Sequence, residues 1–119
     1  MQSYQKNKYK AKRCRCNQNH VHDSRGEAGY CNDLALRVKA ADLCEYEVQK
    51  TFHLHDKNGK KISSHRPDFL LTDFDGNQEI HEYKGYTTEL WKLKKALFET
   101  EYPHIPYIVI WHKDGWRKR

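Results

Sequence analysis

No apolar run in this chain of 119 residues comes near the roughly 20 that a helix needs to cross a bilayer. The first 13 residues contain no acid, and they lack the apolar stretch that a secretory signal carries behind its basic end. Membrane insertion and export are thereby set aside, and a soluble, cytoplasmic protein is expected. Hydrophobic residues make up only 37% of the chain and mean hydropathy is −1.09. One domain with a modest core is therefore the expectation. No internal repeat is visible.

Basic charge is what the chain has in plenty. Lysine and arginine number 22 against 16 acids, for a net charge of +6, and a small basic domain suits a polyanionic partner. Aromatic residues, at 13%, supply much of the core. The basic residues gather at both ends: Lys6, Lys8, Lys10, Lys12 and Arg13 in one, Arg117, Lys118 and Arg119 in the other. The reading is a basic arm over 1–13 that orders on nucleic acid, one domain over 14–111, and a basic tail over 112–119. Four cysteines, Cys14, Cys16, Cys31 and Cys44, could form two disulfides. With no sign of export, reduced thiols or metal ligands are expected instead.

A first helix is predicted in the segment 23–42. Ser24 caps it, Glu27 completes a capping-box pattern, and Ala28, Cys31, Leu34, Ala35 and Val38 form its buried stripe. Residues 46–55 alternate through Tyr46, Val48, Phe52 and Leu54 and read as one strand. Asn58-Gly59 marks a hairpin turn. Strands follow near 67–73 and 78–84, joined at Asp75-Gly76. A second helix runs from Thr87 or Thr88 to about Glu101, with Leu90, Leu93, Leu97, Trp91 and Phe98 as its apolar side. Tyr107 to Trp111 reads as a strand buried on both faces. The order is α-β-β-β-α-β, a small mixed sheet flanked by helices.

The hairpin at 67–84 carries the chemistry. Alternation puts Ile80, Glu82 and Lys84 on one face, and Asp68 lies opposite on the preceding strand. Two carboxylates so close repel when ionised, and burial adds a desolvation cost. A Mg²⁺ or Mn²⁺ ion relieves that repulsion, because hard cations favour carboxylate oxygen, water and phosphate. Lys84 is then placed to orient or deprotonate an attacking water, or to neutralise charge on a phosphate. The competing reading is a solvated strand edge with a Glu-x-Lys salt bridge.

Pro67-Asp68 together with Glu82-Tyr83-Lys84 resembles the signature of the PD-(D/E)XK nuclease superfamily. Segments 22–34, 65–71, 81–85 and 90–109 together resemble a family of small phage-encoded proteins within it. The resemblance covers about residues 16 to 111 and implies a restriction-endonuclease-like αβββαβ core of the α/β class. It further implies that Asp68 and Glu82 bind Mg²⁺, that Lys84 is catalytic, and that Glu27 on the first helix is a fourth catalytic residue and metal ligand. Glu27 keeps its alternative reading as a helix-capping residue. Gln49 is a weaker candidate for a place near the metal, and His65 and His81 read as surface or supporting groups. Members of the superfamily include restriction enzymes, repair nucleases and junction resolvases, so the fold does not name the substrate.

A second constellation lies upstream. Cys16, His20, His22 and Cys31 offer thiolate and imidazole in one short segment, the chemistry of tetrahedral zinc, although their spacing is not a standard zinc-finger pattern. Cys14 could replace either cysteine, Cys31 could equally be core, and Cys44 reads as core. Lys8, Lys10, Lys12, Arg13, Lys92, Lys94 and Lys95 are the expected phosphate contacts. With no base-reading module in sight, recognition of DNA shape is expected over strict sequence specificity. The functional expectation is a Mg²⁺-dependent DNA endonuclease acting on branched or junction DNA, with a homodimer suited to symmetric substrates. The alternatives are a non-catalytic nucleic-acid-binding protein and a zinc-stabilised interaction module.

Overall fold

The computed structural model describes residues 14–111, the side chain of Cys14 apart. The expected arm and tail, with Lys8, Lys10, Lys12 and Arg13, lie outside the described residues, as does Cys14 as an alternative ligand. In chain order the elements are β1 (Cys14–Arg15), β2 (Val21–His22), α1 (Arg25–Lys39), β3 (Glu45–Val48), β4 (Phe52–His55), β5 (Lys61–His65), β6 (Phe69–Thr72), β7 (Gln78–Lys84), α2 (Glu89–Glu101) and β8 (Tyr107–Trp111). Four strands make a mixed sheet in the order β3-β6-β7-β8. Its pairings are antiparallel except the last, where β8 runs parallel to β7. Taken with α1 and α2, this sheet has the α-β-β-β-α-β order expected from the sequence. The antiparallel pair β4–β5 is inserted between its first two strands, and β1–β2 form a third small sheet.

Alternation along β6 divides the core in two. Phe69 and Leu71 pack with Ala28, Cys31 and Leu34 of α1. Leu70 and Ile80 pack on the opposite face with Phe52 and Leu54 of the inserted hairpin and Phe98 of α2. Both helices start as the sequence predicts. Ser24 Oγ accepts the Glu27 N–H at 3.1 Å, and Thr88 Oγ1 accepts the Trp91 N–H at 3.1 Å, each satisfying a donor left open by the helix start. The hairpin turns use Gly59 and Gly76, both at φ 87°, a conformation cheap only for glycine.

Four expectations are corrected. Residues 46–55 are not one strand, because Gln49 adopts φ 55° and donates its N–H to Asp68 O at 3.0 Å, which sends β3 and β4 into different sheets. Leu90 and Leu93 are 61% and 56% exposed, because α2 packs through Phe98 and Leu97 onto the inserted hairpin rather than along its leucine stripe. β8 is not buried on both faces: it forms the outer edge of the sheet, and Ile108 and Trp111 are exposed. Cys44 is exposed, and its neighbour Leu43 fills the core position after α1.

Candidate active site and metal centre

The antiparallel register of β6 and β7 pairs Phe69 with His81, so the residue before β6, Asp68, stands beside Glu82. Both are buried. Asp68 Oδ2 accepts the backbone N–H of Tyr83 at 2.7 Å, which fixes its rotamer against β7. Glu82 Oε2 lies 3.7 Å from Lys84 Nζ, and the same ammonium sits 4.8 Å from the centre of the Trp91 ring. Asp68, Glu82 and Lys84 are thus assembled as the sequence predicts. They line a cleft of about 370 Å³ together with Gln49, Arg66 and Lys94. Gln49 enters the cleft from a left-handed turn rather than from mid-strand, and its Oε1 accepts from Arg66 Nη2 at 3.2 Å.

Sequence reasoning missed a supporting chain. Tyr107 donates its hydroxyl proton to Glu82 Oε1 at 2.8 Å. His65 Nε2 lies 2.7 Å from the same hydroxyl, and since that proton is committed to Glu82, His65 donates. His65 and His81 are both buried, so of the two expected readings, surface or supporting, the surface one falls and His65 takes the supporting one. His81 instead bonds Tyr30 and Glu79 on the α1 side of the sheet. The signal for Tyr107 was its phenol within an apolar run, where a buried hydroxyl needs a partner.

Glu27 is 3% exposed and does not line the cleft. It makes only half of the capping box: its backbone N–H meets Ser24, but its carboxylate turns to His22, with Oε2 2.8 Å from Nδ1. The three acids nonetheless share one field. Burial, followed by Asp23 and Glu82, pushes the Glu27 carboxyl up to about 8. Burial, followed by Glu82 and Glu27, holds Asp68 well above the usual carboxylate range. Burial also raises Glu82, against the opposing pull of Lys84 and the Tyr107 hydroxyl. Three buried carboxyls that resist ionising together make a site in which added positive charge is stabilising.

The second constellation is assembled as well. Cys16, His20, His22 and Cys31 each offer one ligand atom, and the four atoms lie within 4.8 Å of one another. His20 Nδ1 is 3.5 Å from Cys16 Sγ and 3.4 Å from Cys31 Sγ. The β1–β2 turn brings Cys16 and both histidines together, and α1 presents Cys31 from its buried stripe. His22 Nε2 is buried and has no hydrogen-bond partner among the described residues. The group can hold a metal ion. Of the expected phosphate contacts, Lys92 pairs with Glu89 at 3.3 Å and Lys95 with Glu99 at 2.9 Å on the surface of α2. Lys94 reaches the cleft. No described helix is long and apolar enough to cross a membrane.

Fold and site together define a small mixed α/β protein with an acid-lined cleft at one end of its sheet and a thiol–imidazole group beside its first helix. Over residues 6–115 the chain matches the model of a family described as "Protein of unknown function (DUF1064)", and it belongs to that family. No curated protein and no solved structure matches it.

Proposed function

We propose that this protein is a Mg²⁺-dependent endonuclease that hydrolyses phosphodiester bonds in DNA, with the PD-(D/E)XK type of site that its sequence resembles. The observation that carries the reading is the register that sets Asp68 beside Glu82 at a cleft, with Lys84 3.7 Å from the second carboxylate. The donor set fits a hard cation. Asp68 and Glu82 each spend oxygens on internal hydrogen bonds yet stay at the cleft wall, and Mg²⁺ needs only one or two carboxylates besides water and phosphate. A bound Mg²⁺ or Mn²⁺ supplies charge neutralisation at the acids and polarisation of the phosphate. The chain's own residues do the rest. Tyr107 and His65 hold Glu82 in place, Asp68 is locked to β7, and Lys84, steadied by the Trp91 ring, orients the attacking water or meets developing negative charge. Arg66 and Lys94 border the same cleft and suit the flanking phosphates.

We further propose that the thiol–imidazole group holds a structural zinc ion. Around tetrahedral zinc, ligand atoms stand about 3.3–3.8 Å apart, and the two His20–thiol separations of 3.5 and 3.4 Å already fall in that range. The substrate class proposed is branched or junction DNA in phage recombination, repair or DNA processing, met by a homodimer. A cleavage panel with Mg²⁺ or Mn²⁺ over single-stranded, duplex, flapped and four-way-junction DNA tests the reading. Cleavage should be greatest on the branched substrates, and should fall by orders of magnitude in Asp68→Ala, Glu82→Ala and Lys84→Ala. Wild-type cleavage by Asp68→Ala in Mg²⁺ would sink the nuclease reading. A protein that binds zinc yet cleaves no substrate would be the interaction module instead.

A further inference from the structure

We infer that Glu27 is a positioning residue of the thiol–imidazole group, its carboxylate orienting the His22 ring for a metal on the ring's far nitrogen. The inference rests on the zinc reading above. His22 is 1% exposed and Glu27 3% exposed, so neither has water as an alternative partner. Nδ1 of His22 lies 2.8 Å from Glu27 Oε2, which leaves Nε2 as the nitrogen available to the metal group. That nitrogen is buried and has no hydrogen-bond partner among the described residues. A metal on Nε2 keeps the ring proton on Nδ1, where it is donated to the Glu27 carboxylate. Ligand histidines are oriented in this way by a carboxylate on their far nitrogen, and losing the carboxylate weakens the metal.

The backbone enforces the link. His22 ends β2, Ser24 caps α1, and Glu27 stands in the first turn of α1 with its N–H on Ser24. One short segment therefore carries the candidate ligands His20 and His22 together with Glu27, the acid that holds the second of them.

The test is Zn²⁺ affinity of the full-length protein, measured by competition with a chromophoric chelator for wild type, Glu27→Gln and Glu27→Ala. A Co²⁺ spectrum verifies that two thiolates and two imidazoles still ligate in each. Glu27→Ala should weaken Zn²⁺ by about 10- to 100-fold. Glu27→Gln keeps an oxygen to accept from Nδ1 but loses the charge, so it should fall between. Unchanged Zn²⁺ affinity in both variants overturns the inference while leaving zinc and nuclease readings standing. Wild-type protein that binds no Zn²⁺ overturns the zinc reading and the inference with it. Glu27-dependent Zn²⁺ affinity in a protein that cleaves nothing overturns only the nuclease reading.

Discussion

Asp68 does two things that one substitution separates. Its Oδ2 accepts the Tyr83 N–H at 2.7 Å, and its charge adds to that of Glu82 and Glu27 in a buried cluster. Asp68→Asn keeps an acceptor for Tyr83 and removes the charge. Metal-free Asp68→Asn should therefore melt at or above the wild-type temperature, while the rise in melting temperature that Mg²⁺ gives to wild type should disappear. A metal-free variant that melts well below wild type would mean the carboxylate is structural. His65 gives a second prediction, in pH. Burial, then Lys94 and Lys84, pushes its imidazole down to about 4 from an ordinary 6.5. Above pH 6.5 both folded and unfolded chains hold it neutral, and it contributes no pH dependence. Between 6.5 and 4 the unfolded chain takes up a proton that the folded chain refuses, so stability falls as pH falls through that window. His65→Gln should flatten this acid limb in denaturant titrations at pH 4.5 to 7. It should also lower cleavage without abolishing it, since Tyr107 would keep its bond to Glu82 but lose its own support. An unaltered acid limb would show that His65 titrates as an ordinary histidine.

Among the elements, α1 makes the sharpest demand on sequence. A side-chain carbon at Gly26 would run into the Tyr83 ring of β7, whereas one at Gly29, three residues along the same helix, meets nothing within 4 Å. Gly26→Ala should destabilise by roughly 1–3 kcal/mol through overpacking. Gly29→Ala should stabilise by roughly 0.5–1 kcal/mol, because alanine costs less helix entropy than glycine. Chemical denaturation of the two variants checks both signs, and equal effects would mean that α1 does not press on β7 as closely as described. The caps of α1 and α2, the two glycine turns and the pairing of Asp68 with Glu82 were legible in the sequence, because each rests on local chemistry or on the two-residue period of a strand. The break at Gln49 was not, because a left-handed non-glycine residue carries no compositional mark and is held there by a bond to Asp68 O. The exposure of Leu90 and Leu93 was hidden for another reason. Helical spacing says which residues share a face but not which face the hairpin β4–β5 will cover. The phenol of Tyr107 signalled a need for a partner, but which partner was out of reach, because its bond to Glu82 depends on a parallel pairing between strands separated by a whole helix.

At the scale of the whole molecule the charge is divided. The chain carries a net charge of +6, while Asp68 and Glu82 line a cleft that also has Arg66, Lys84 and Lys94 at its wall. An acidic centre repels the phosphate it is proposed to cleave, so binding must be carried by the basic surround until a cation fills the centre. Two results should follow. Without divalent metal, Glu82→Ala should bind junction DNA at least as tightly as wild type, because one repelling charge is gone. Removing residues 1–13, which contain Lys6, Lys8, Lys10, Lys12 and Arg13, should weaken binding and reduce the slope of log affinity against log salt by up to about 4.5, since each neutralised phosphate contributes about 0.9 on duplex DNA. The Mg²⁺-induced rise in melting temperature should survive that truncation, because Asp68 and Glu82, the acids proposed to take the cation, lie outside the deleted segment. Fluorescence anisotropy on a labelled four-way junction at 50 to 200 mM salt measures the slope, and thermal melting measures the metal response. An unaltered slope would mean that the arm does not touch phosphate. A truncated chain that loses both binding and the metal response would mean that the arm belongs to the fold rather than to the interface.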